Sequence, residues 1–75
     1  MIYNRVALLR TEQGVSRQKL ADMVGVNYQT IGFIERGDYS PSLELAFKIA
    51  AYFSVELTEV FSDRRFPSLF PKKEG

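Results

Sequence analysis

The chain has 75 residues, no Cys, no His and a formal charge of +1. It therefore reads as one domain without disulfides, thiolate nucleophiles, imidazole bases or the usual zinc ligands. A domain this short buries only about 60% of its unfolded surface and leaves no room for a deep cleft. An enzyme is disfavoured, and no metal or cofactor is expected.

Met1-Ile2-Tyr3-Asn4-Arg5 leads into an apolar-periodic stretch without the long apolar run of a signal peptide or membrane span. An intracellular, cytoplasmic protein with no membrane partner is expected. Ile2, Val6 and Leu9 are spaced i, i+4, i+7 and predict a first helix from about Ile2 to Glu12, stopped by Gly14. Ser16 is the N-cap candidate of a second helix running through Val24, with Leu20, Ala21 and Val24 on one face and Gly25 ending it. Asn27 is the next N-cap candidate. Ile31 and Ile34 give the inner face of a third helix, which Gly37 ends. Ser40-Pro41 reads as N-cap followed by proline at the first helical position, with Leu45, Ile49, Ala50 and Phe53 facing inward from a fourth helix. A brief fifth helix is expected from about Leu57 to Phe61. No strand is predicted before position 62, where helical spacing and helix caps dominate, and the fold class is all-α.

Charge is polarised along the chain. Residues 1–37 carry five basic against three acidic residues, residues 38–61 one against four, and residues 62–75 four against two. Such a distribution supports an anionic partner only weakly. Residues 62–75 change character, with two prolines and three large apolar residues, and are read as a tail behind a domain of residues 1–61.

The informative feature is the spacing Leu20-Ala21, Gly25, Ile31, Ile34. Two helices packed across a tight turn need a small residue at their closest approach, which Ala21 supplies. Four residues later the turn demands positive φ, which Gly25 accepts without a Cβ penalty. Val26, Ile31 and Ile34 then close the core between the two helices.

The stretches Gly14-Val15-Ser16, Leu20-Ala21, Gly25-Val26, Gln29-Thr30-Ile31, Ile34-Glu35-Arg36-Gly37, Pro41-Ser42-Leu43 and Ile49-Ala50 together resemble the phage repressor and Cro (XRE) family over roughly residues 4–61. The resemblance implies a compact five-helix domain that inserts its third helix into the major groove of double-stranded DNA, usually as a homodimer on a palindromic operator.

Rotation of about 100° per residue separates the roles on the third helix. With Ile31 and Ile34 inward, Gln29, Gly32, Phe33 and Arg36 point outward, flanked by Tyr28 and Thr30. Gln29 is the first choice for base reading, because its amide can pair bidentately with adenine. For Phe33 two readings stand: contact with a thymine methyl group, or partial packing on a neighbouring helix. Gly32 costs about 1 kcal/mol against alanine in mid-helix. It marks either a close approach of DNA or another backbone, or a tolerated defect. Ser16, Arg17 and Lys19 begin the second helix, whose N–H groups and dipole favour a phosphate. The resemblance strengthens Arg17 in that role. Arg36 and Tyr39 are further backbone candidates. Glu35 lies about 70° from the inward direction and needs a partner. Arg10 is that partner, as in family members carrying the same two residues.

By resemblance, dimerisation would use the end of the fourth helix and the fifth, here Tyr52, Val55, Glu56, Leu57 and Val60, some of which must fill the core. Ser54 stands where the family commonly has glycine, which weakens the expected left-handed turn. Phe66, Leu69 and Phe70 are too apolar for an ordinary disordered end. They either cover the core or extend the dimer. The remaining alternative is a loose end whose Arg64, Arg65, Lys72 and Lys73 attract DNA without specificity. The expected function is a transcriptional regulator, a repressor in the first instance, with RNA polymerase or another regulatory protein as a further partner. An antitoxin that controls its own operon, or an interaction module that has lost DNA binding, are the rival readings.

Overall fold

The computed structural model describes residues 1–67. In chain order it contains β1 (Tyr3–Asn4), α1 (Val6–Glu12), α2 (Arg17–Val24), α3 (Tyr28–Glu35), α4 (Leu43–Phe53), α5 (Leu57–Val60) and β2 (Phe61–Ser62). The five helices surround one core in which Val6, Leu20, Ile31, Ile34, Ile49 and Val60 are fully buried, as is Ala21 on α2. Leu9, Val15 and Val26 pack against the rim of this cluster. The expected helical architecture is present.

Several local expectations need correction. The first helix begins at Val6 rather than Ile2, because the Asn4 side chain accepts the Val6 N–H at 3.1 Å and the Arg5 N–H is spent on Val60 O at 2.8 Å. Residues 3–4 are consequently extended and pair antiparallel with β2, Tyr3 opposite Ser62 and Asn4 opposite Phe61. A two-residue ribbon is too short to produce the alternation that identifies a strand. The ribbon also ends the last helix one residue early, at Val60.

The fourth helix is capped by Ser42, whose Oγ accepts the Leu45 N–H at 3.1 Å, and not by Ser40. Pro41 therefore precedes the cap instead of occupying the first helical turn. Finally, Ser54 adopts the left-handed conformation at φ 60° and closes α4, its N–H bonded to Ala51 O and that of Val55 to Ala50 O. The turn forms with serine where glycine would enter without steric cost.

The α2–α3 turn follows the sequence closely. Ser16 Oγ accepts the Lys19 N–H at 3.0 Å, Asn27 Oδ1 accepts the Gln29 N–H at 2.7 Å, and Gly25 takes φ 81°, ψ 34°. These caps fix where each helix starts and hence which way its first side chains point. Among the described residues no helix is long and apolar enough to cross a membrane.

Candidate nucleic-acid interface

The outer side of α3 and the first turn of α2 form a shallow cleft of about 350 Å³ lined by Arg17, Tyr28, Gln29, Gly32, Phe33 and Arg36. Tyr28, Gln29 and Phe33 are exposed, Phe33 by 45%, and Thr30 is half-buried at the edge. Phe33 therefore stays outside the core cluster. The Arg36 guanidinium lies over the Phe33 ring at 5.1 Å, within reach of a cation–π attraction, while its Nε donates to Asp38 Oδ2 at 3.1 Å.

Gly32 departs from expectation: it is buried, not exposed. A Cβ built there would lie 3.4 Å from Arg36 Nη1, so the arginine side chain folds back over the glycine one turn before it. The absence of a side chain at 32 makes the floor of the cleft.

Beneath the cleft sits the pair foreseen for Glu35, enlarged by one member. Arg10 Nε donates to Glu35 Oε2 at 2.8 Å, and Arg17 Nε donates to Glu35 Oε1, also at 2.8 Å. The Glu35 side chain is 4% exposed, against 17% for Arg10 and 51% for Arg17. It is thus buried more deeply than helical arithmetic suggested, and each carboxylate oxygen has its own guanidinium. Arg10 also donates to Val15 O at 3.1 Å, tying α1 to the start of α2. Arg17 is consequently no loose surface charge. Its Nε is committed to Glu35, and a guanidinium has four further N–H donors to offer outward. Sequence reasoning missed this second partner because it gave Arg17 to a phosphate, and no local pattern shows which anion a long side chain turns to.

Ser16, Lys19 and Tyr39 are exposed, with the Ser16 hydroxyl used as a cap. Of the residues assigned to a dimer contact, Tyr52, Val55 and Leu57 are half-buried and Glu56 is exposed, its N–H bonded to Glu59 Oε2 at 2.8 Å. Val60 is fully buried and belongs to the core instead. Leu43 and Phe47, exposed one turn apart on α4, were not foreseen. Phe47 lies about 130° from the centre of the buried stripe by helical rotation, so the signal was in the sequence. Leu69, Phe70, Lys72 and Lys73 lie outside the described residues.

A family model described as helix-turn-helix matches residues 6–60. The HTH-type transcriptional regulator YgzD of Bacillus subtilis (strain 168) is 50% identical over 58 residues, 77% of this chain and 88% of that one. The cryptic phage CTXphi transcriptional repressor RstR of Vibrio cholerae is 32% identical over 63 residues, 84% of this chain and 57% of the repressor. Among solved structures, the restriction-modification controller protein C.AhdI of Aeromonas hydrophila superposes with a TM-score of 0.69 at 34% identity, covering 73% of this chain and 83% of the controller. A Bacteroides fragilis protein shares the fold at a TM-score of 0.75 and 24% identity, over 83% of this chain and all of that one. The chain belongs to the XRE-type helix-turn-helix family of DNA-binding transcriptional regulators.

Proposed function

We propose that the protein is a sequence-specific repressor that binds a palindromic operator as a homodimer, with α3 in the major groove and transcription blocked by occupancy of the site. The reading is carried by one observation: the groups that line the cleft on α3 are a guanidinium, an amide, two aromatic rings and a second guanidinium, which is the mixture that duplex DNA recognises. Gln29 reads a base edge, adenine by preference. Phe33 meets a thymine methyl group, with Tyr28 and Thr30 beside it. Gly32 leaves room for the Arg36 side chain to lie back over the helix. Arg17, set on Glu35, and Ser16, Lys19, Arg36 and Tyr39 position the domain on phosphates without reading sequence.

Doubling is needed because one helix-turn-helix unit reads only a half-site. The half-buried Tyr52, Val55 and Leu57, with Glu56 at the rim, are the surface offered to a second copy. A dimer so arranged presents two α3 helices one helical turn of DNA apart and excludes RNA polymerase or meets it.

Selection of bound duplexes from a random pool tests the reading. A single inverted repeat with half-sites about 10 base pairs apart, bound with a steep inverse dependence on salt, is expected. An unselected pool, or affinity indifferent to salt, removes it.

A further inference from the structure

After β2 the chain returns to the body of the domain at Phe66. Residues 63–67 cross to the far end of α3, where Phe66 packs under the Arg5 guanidinium at 4.1 Å from its ring centroid. Arg65 and Phe66 there line a second cleft, of about 470 Å³, together with Met1, Tyr3, Arg36 and Gly37. Arg36 is a wall of both this cleft and the one on the outer face of α3. The two surfaces are therefore continuous across a single side chain.

Charge at this second cleft is cationic. Glu35 reaches its wall, but its carboxylate is already shared by Arg10 and Arg17. Asp38 is paired with Arg36 at 3.1 Å, and Asp63 lies 3.8 Å from Arg64, both pairs well exposed. Arg5 thus covers the Phe66 ring, Arg36 and Arg65 line the cleft beside it, and no ion pair forms at Arg65 among the described residues. Phe66 is half-buried while Arg65 beside it is exposed. A ring clamped by a cation and followed back by an outward arginine is the arrangement of an anchored arm.

From this geometry we infer that residues 63–67 form a DNA-contacting arm: Phe66 docks on Arg5 so that Arg65 meets a backbone phosphate just beyond those held through α2 and α3. The inference rests on the DNA reading above and extends its footprint. It assigns to Phe66 a positioning role, since the ring touches no phosphate itself, and to Arg65 the contact. Ordering the arm in advance reduces the conformational cost of closing that contact on the duplex.

The full-length chain carrying Arg65→Ala or Phe66→Ala is compared with the parent on the selected duplex and on its single-base variants, with melting temperature recorded for each. Loss of one phosphate contact per bound copy lowers the slope of log affinity against log salt by about 0.9. The expected result is that slope change for both variants, a several-fold weaker binding on every duplex, unchanged base preference, and recovery by Arg65→Lys. Ethylation of one flanking phosphate should weaken the parent and leave Arg65→Ala unaffected. Phe66→Ala is decisive because it removes no charge. If the parent binds and Phe66→Ala or Arg65→Ala keeps its affinity and slope, the arm is overturned while the DNA reading stands. If the parent itself fails to bind duplex, the DNA reading falls and the arm with it.

Discussion

On the inner side of α3, Ile31 and Ile34 are sealed in the core and Glu35 has a guanidinium on each oxygen, so no buried side-chain polar atom is left without a partner among the described residues. On the outer side, less than a helix diameter away, Gln29, Phe33 and Arg36 face water. An eight-residue helix thus carries one set of side chains that the domain completes and another that it leaves for something else to complete. The two sets should answer different measurements. Inner residues govern stability, and outer residues govern binding.

Ile31→Ala is the hardest test of the inner side. Truncating a fully buried isoleucine costs about 2–5 kcal/mol, and a domain of this size loses roughly 4–8 °C of melting temperature per kcal/mol. A fall in melting temperature of about 8–40 °C is the expected outcome, followed by thermal or denaturant melting. A variant that melts with the parent would mean that α3 is not seated as described.

Glu35→Gln comes next. The amide keeps the shape but leaves two guanidiniums facing each other with no anion between them. Removing one partner of a fully buried pair costs about 3–5 kcal/mol. Because Arg17 is half exposed and can turn to water, about 2–3 kcal/mol is expected here. This variant also sharpens the comparison, since Glu35 is the inner residue that holds an outer one. With Arg17 released, affinity for all duplexes should fall together, and base preference should not change.

Gln29→Ala and Arg17→Ala probe the outer side. Gln29→Ala should leave melting unchanged and lose about 1–3 kcal/mol of discrimination at one base pair. Arg17→Ala should weaken all duplexes alike and flatten the salt dependence. Binding-site selection with the two variants would break the division of roles if Arg17→Ala changed the preferred sequence and Gln29→Ala did not.

Where the sequence could be read, it was read through local physics. Ser16, Asn27 and Gly25 announce their caps and turn by residue type alone, and Ile31 with Ile34 fixes the facing of α3 by rotation. The Arg10–Glu35 pair came from the family pattern joined to that rotation. What escaped reading was non-local. The ribbon between residues 3–4 and 61–62 depends on two distant segments meeting, and no window of a few residues contains that information. Arg17's hold on Glu35 and Arg36's position over Gly32 are likewise choices of long, flexible side chains, made only once the helices are in place. The burial of Gly32 follows from such a choice, which is why rotation alone put it outside.

Ser54→Gly is the smallest effect and the cleanest control. Among the described residues Ser54 is the non-glycine position with positive φ. Its conformation costs an L-residue roughly 1–2 kcal/mol, whereas glycine enters it freely but gives up about 0.5–1 kcal/mol through the greater freedom of its unfolded chain. The net gain expected is about 0.5–1 kcal/mol, a rise of a few degrees in melting temperature. Ser54 touches neither face of α3, so affinity and base preference on the selected duplex should match the parent. Stability would then have been moved upward with binding held still, the counterpart of Gln29→Ala, which moves binding with stability held still. If Ser54→Gly altered base preference, the turn after α4 would be coupled to the reading helix, and the separation of the two faces would not survive.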